Sequence, residues 1–71
     1  MKRLIFSNHA AKRMFERDVS ARDVELAIEM PDYKIVRGSE VEAYKRFSHT
    51  TLKVVYAEIE SFIKVITVVT I

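Results

Sequence analysis

The sequence predicts an α+β domain: two N-terminal helices packed on one face of a four-stranded antiparallel sheet. Three observations carry that expectation. Capped helical runs precede Pro31, apolar periodicity switches to two after it, and β-branched residues crowd the end of the chain.

Ser7 is suited to an N-cap, because its hydroxyl can accept from a free amide of the first turn. His9 to Asp18 follow without Gly or Pro, and Asp18-Val19 break the pattern. Ser20-Ala-Arg-Asp23 is a capping-box variant, with Asp in place of Glu or Gln, and opens a second helix to about Met30. Pro31 ends it, since the residue before proline avoids helical geometry. Tyr33 to Arg37 reads as a strand, Gly38-Ser39 as a turn, and Val41 to Phe47 as an alternating strand. A turn at His49-Thr50-Thr51 precedes Leu52 to Ile59, and Glu60-Ser61 joins that strand to Phe62 to Ile71. Such closely spaced runs form hairpins, because parallel pairing needs a crossover of roughly a dozen residues or more. The order is ααββββ, and residues 2 to 6 offer a further edge strand. The last run is apolar on both faces except at Lys64, Thr67 and Thr70. It reads as a central strand, or as one whose outer face meets a second copy in a homodimer.

The 71 residues allow a single domain, 1–71. A domain of this size buries only about 60% of the surface of its unfolded chain, so it stands to gain from a stabilising partner. There is no cysteine, hence no disulfide and no thiolate metal site, and the two histidines fall on different elements. No metal or cofactor is expected. MKRLIF lacks the apolar core of a secretory leader, and no run approaches the ~18–20 apolar residues of a membrane span. A cytoplasmic protein without a membrane segment is the expectation. Net charge is only +2, but Lys34, Arg37, Lys45, Arg46 and Lys53 outnumber Glu40 and Glu42 in the middle of the chain. That distribution permits a phosphate-bearing partner.

At 100° per residue, Ala10, Ala11, Met14 and Phe15 share one side of the first helix and are expected against the sheet. His9, Lys12, Arg13 and Glu16 point roughly opposite, with Arg17 between. One account of that face is simple solvation, with Glu16 pairing to Lys12 or Arg13. The other is chemical. Imidazole has an ordinary pKa of about 6.5 and exchanges protons near neutrality, and guanidinium holds phosphate oxygens in a planar fork. Together they suit RNA cleavage, with His9 moving a proton to or from a ribose oxygen and Arg13 stabilising phosphorane charge.

Ser7-x-His9-Ala10-x-x-Arg13-Met14-x-x-Arg17, then Val19-Ser20-x-x-Asp23-Val24-x-x-Ala27-Ile28 and Pro31, resembles the N-terminal signature of a prokaryotic family of small domains of unknown function. That family is similar to toxin-type ribonucleases of the RelE and barnase-like superfamily. Leu52-Lys53-Val54-Val55 and Val65-Ile66-Thr67-Val68 resemble its closing strands. The resemblance implies a RelE/barnase-like arrangement, metal-independent endoribonuclease activity, and a cognate antitoxin covering the basic face. It implies His9 and Arg13 as catalytic residues, with Arg17 and Thr67 binding substrate. Where the family commonly has Gly after the second arginine, this chain has Asp18, which sets a carboxylate beside the basic row.

Tyr44 and Arg46 share one face of their strand and are further candidates, stacking a base and holding a phosphate. His49 sits in a turn and is either solvated or a second proton carrier. Lys53 and Lys64 read as protectors of sheet edges. Leu26 and Met30 lie opposite Val24, Ala27 and Ile28, facing the first helix or a partner. Two functions follow: a toxin-like endoribonuclease acting on RNA, or a non-enzymatic dimeric interaction module.

Overall fold

A computed structural model describes residues 2–71. The elements are β1 (Arg3–Phe6), α1 (Asn8–Arg17), α2 (Ala21–Glu29), β2 (Tyr33–Arg37), β3 (Glu40–Arg46), β4 (Thr51–Ile59) and β5 (Phe62–Thr70). The sheet has five strands in the order β1-β5-β4-β3-β2. The expected four-stranded antiparallel sheet is therefore corrected to a five-stranded mixed one. Consecutive strands β2 to β5 pair antiparallel, as short connections require. Residues 2 to 6 supply the exception. β1 lies parallel to β5, from Arg3 opposite Phe62 to Phe6 opposite Val65, because both helices and three strands intervene in sequence.

Both helices form where their caps dictate. Ser7 accepts from the Ala10 amide at 3.0 Å. Ser20 accepts from the Asp23 amide while the Asp23 carboxylate accepts from the Ser20 amide, a complete capping box. α1 ends in a Schellman motif: the Val19 amide reaches the Met14 carbonyl at 2.9 Å, and Asp18 takes the left-handed conformation at φ 55.

Registry places Ala43, Leu52, Val54, Tyr56, Ile63, Val65 and Val68 on one face of the sheet, where they form one core with Ala10, Val24 and Ala27. α1 packs on β5, and α2 packs on β3 and β4. The other face is open, with Ile5, Tyr33, Ile35, Ile59 and Val69 all exposed.

Within β5 the core positions are 63, 65 and 68, a spacing strict alternation does not allow. The cause is a bulge: Tyr56 pairs with Val65 but Val55 pairs with Thr67, which leaves Ile66 as an extra residue. Beyond it, Val68 and Thr70 fall on the core side, and Thr67 and Val69 on the open face. β5 and β4 are both interior strands. Lys64 and Lys53 therefore lie on the open face rather than guarding edges as expected. The edge strands are β1 and β2, and all five residues of β2 are exposed.

Candidate active site

β1 shields the outer edge of β5 only as far as Val65. From there the chain turns at Ser7 and α1 takes over. The bulge directs two successive carbonyls of β5 outward, and Ser7 uses both. Its amide donates to the Val65 carbonyl at 2.9 Å, and its hydroxyl donates to the Ile66 carbonyl at 2.7 Å. Ser7 is thus both the cap of α1 and its anchor to β5. The ten residues of α1 span about 15 Å, and Ile66 to Thr70 span about 13 Å, so the helix matches the strand segment that lacks a neighbour.

This anchoring decides which side of α1 meets the sheet. Ala10 is fully buried and Met14 packs on the core, but Phe15 is 89% exposed and Ala11 is exposed too. The expectation that Phe15 and Ala11 face the sheet is corrected. A helix lying beside a strand edge buries a narrower stripe than one lying flat across several strands. His9 and Arg13, expected opposite the sheet, and Arg17, expected between the two faces, are exposed and flank that edge. His9, Arg13 and Arg17, with Thr67, Val68, Val69 and Thr70, line a groove of about 140 Å³. Successive members of the row are about 6 Å apart along the helix axis.

The lining holds one imidazole, two guanidinium groups and two hydroxyls, and no carboxylate. None of the ion pairs among the described residues involves His9, Arg13 or Arg17. Such a set suits an anionic ester, because a cation would meet two fixed positive charges. Asp18 does not intrude. It closes α1 and lines a separate cavity of about 250 Å³ with Val19, Asp23, Phe47, Thr50 and Leu52, which Arg17 and Thr70 share with the groove.

Of the residues read from sequence, His9, Arg13, Arg17 and Thr67 come together. Tyr44 and Arg46 do not reach the groove. They lie on β3, two strands from β5, on the open face. Tyr44 stacks on Tyr33 with ring centroids 4.5 Å apart, and its hydroxyl donates to Glu42 at 3.2 Å. The Arg46 amide donates to the Asp32 carboxylate at 2.7 Å. His49 is exposed in the turn between β3 and β4 and does not line the groove. Met30 is exposed, and its carbonyl accepts from the Lys45 ammonium at 2.8 Å. Sequence reading missed Thr70 and Val69 as groove residues, and it saw in Ser7 only a cap. The second carbonyl that Ser7 binds exists because of the bulge, which no local pattern marks.

Among the described residues, a clear proton-affinity shift falls on Tyr56, away from the groove. Burial pushes the Tyr56 phenol above its ordinary range, and the neighbouring Glu58 carboxylate adds to the effect.

A family model described as a domain of unknown function (DUF4258) matches residues 6–70. No curated protein and no solved structure matches the chain. No described helix is long and apolar enough to cross a membrane.

Proposed function

The chain belongs to the family of the domain of unknown function DUF4258, and we propose that it is a toxin-like, metal-independent endoribonuclease with the groove beside α1 as its reaction centre. The observation that carries this reading is the convergence of His9, Arg13 and Arg17 from the helix with Thr67 and Thr70 from the sheet on one concave surface. Arginine forks and hydroxyl donors hold phosphate oxygens, and a nearby imidazole moves protons.

In the reaction, the ribose 2′-oxygen attacks the adjacent phosphorus as it loses its proton. The bond from phosphorus to the 5′-oxygen breaks, and that oxygen takes up a proton. The products are a 2′,3′-cyclic phosphate and a 5′-hydroxyl end. His9 accepts the first proton or supplies the second. Arg13 and Arg17 face the charge that builds on the phosphorane, where fixed positive groups gain most. Thr67 donates to a non-bridging oxygen. The proposal takes the helices packed on one sheet face beside that centre as a RelE/barnase-like arrangement. The proposal places this work in the cytoplasm, where a cognate antitoxin with an acidic surface would close the groove by covering α1.

The test is incubation of the purified chain with RNA in the presence of EDTA, alongside His9→Ala and Arg13→Ala. Cleavage to cyclic phosphate ends, reduced about 100-fold or more without the imidazole, is the expected result. Equal and negligible cleavage by all three proteins ends the proposal.

A second reading, a dimeric interaction module, draws on the exposed isoleucines of the open sheet face, Ile5, Ile35 and Ile59. A monomer by light scattering at all practical concentrations would remove it.

A further inference from the structure

The open face of the sheet is divided. Its far half mixes the exposed Ile5, Ile35 and Ile59 with Lys64, Glu40 and the Arg37–Glu42 ion pair, whereas the row next to the groove carries aromatic and basic side chains. Registry runs straight along that row: Tyr33 pairs with Tyr44, Tyr44 with Lys53, and Lys53 with Val69. Val69 lines the groove. The row therefore joins the proposed reaction centre to the exposed β2 edge, three strand spacings or about 14 Å away.

The chemistry of the row is specific. Tyr33 and Tyr44 stack nearly parallel, 11° apart, and the Lys53 ammonium sits 5.8 Å from the Tyr44 ring centroid on β4. Tyr44 thus has Tyr33 for one neighbour and Lys53 for another. Tyr33 is 57% exposed and offers a π-surface at the end of the stack. Arg46 shares this face beside Tyr44. An interior-strand lysine on an uncovered face, among tyrosines and beside an arginine, has no role in the core.

We propose that Tyr33, Tyr44 and Lys53 form a subsite for single-stranded RNA, so that the strand leaves the groove at Val69 and crosses the open face towards β2. Lys53 meets the backbone between the groove and the stack, and a base extends the tyrosine stack at Tyr33. The proposal rests on the reading of the groove as a phosphodiester centre. It adds a length requirement: substrates must extend beyond the nucleotides at the cleaved bond to fill the subsite. Stacking on aromatic side chains tolerates any base, so the subsite favours length over sequence.

The experiment uses a 2′-O-methyl hexanucleotide, in which the attacking oxygen is blocked, and the matching dinucleotide. Wild-type protein is expected to bind the hexanucleotide at least tenfold more tightly than the dinucleotide. Lys53→Gln and Tyr33→Thr should each weaken hexanucleotide binding by about fivefold or more. The chain has no tryptophan, so Tyr33→Trp places a single fluorescent reporter at the end of the stack. Its emission should be quenched by the hexanucleotide and not by the dinucleotide, which checks the subsite in a protein that binds. Unchanged affinity in both substitutions, or an unquenched indole in Tyr33→Trp with hexanucleotide bound, overturns the subsite. The groove reading fails separately: quenching and length dependence without any cleavage of unmodified RNA sink the nuclease and leave the subsite standing.

Discussion

At the scale of single residues, Ser7 and Asp18 bracket α1 and act in opposite senses. Ser7 satisfies a helix amide and a strand carbonyl at once. Ser7→Ala should cost about 1–2 kcal/mol, the range for a lost cap and a lost hydrogen bond. It should also lower RNA cleavage, because His9 lies two residues beyond the anchor; urea denaturation and a cleavage assay measure the two effects. Asp18 holds φ 55 with a side chain that has a Cβ, a conformation that glycine adopts without penalty. Asp18→Gly should stabilise the fold by about 0.5–1 kcal/mol. Cleavage should stay unchanged, since Asp18 lies outside the groove, and a raised melting temperature would check the stability. Ser7 was visible in the sequence as a cap, and Asp18 only as a break in the helical pattern. What they anchor was not, because a cap pattern specifies only the local backbone.

At the scale of elements, the bulge at Ile66 is the feature on which the site turns. Deleting Ile66 would restore simple alternation with every side chain on its present face, Val68 and Thr70 on the core side and Thr67 and Val69 on the open face. It would also remove the second outward carbonyl that holds Ser7. A melt followed by circular dichroism that stays cooperative but is destabilised by about 1 kcal/mol is the expected outcome, because Val68 keeps its place in the core and only the Ser7 bond is lost. The helices and β2 to β5 were legible from caps and alternation. The bulge was not: IKVITVVTI is apolar at nearly every position, so its pattern fits either parity. β1 was legible only as an option, since four residues without a sequential neighbour cannot declare their partner.

For the whole molecule, size makes the core decisive. A chain of 71 residues has about 4–10 kcal/mol of stability in total. Leu52→Ala in the core should remove about 2–5 kcal/mol of it, and chemical denaturation should show a marginal or unfolded protein. The Tyr56 phenol adds a pH dependence with a definite sign. Its proton is held more tightly in the folded state than in the unfolded one. The unfolded phenol ionises at about 10, so stability should be constant in this respect below that pH and fall as pH rises through the folded value. Tyr56→Phe should flatten that alkaline loss, as read from melting temperatures between neutral and strongly alkaline buffer.

By itself the sequence determined the two helices and their ends, four of the five strands, and the row of His9, Arg13 and Arg17. Those features depend on caps, proline and periodicity, which act over a few residues. Only the tertiary structure decided that β1 lies parallel to β5, that the solvent-exposed row flanks a strand edge, and that Thr67 and Thr70 line the same groove. It also decided that Tyr33 and Lys53 continue from that groove across the sheet. These depend on strand partners far apart in the chain and on one extra residue in β5. A helix face has no meaning for function until something stands opposite it.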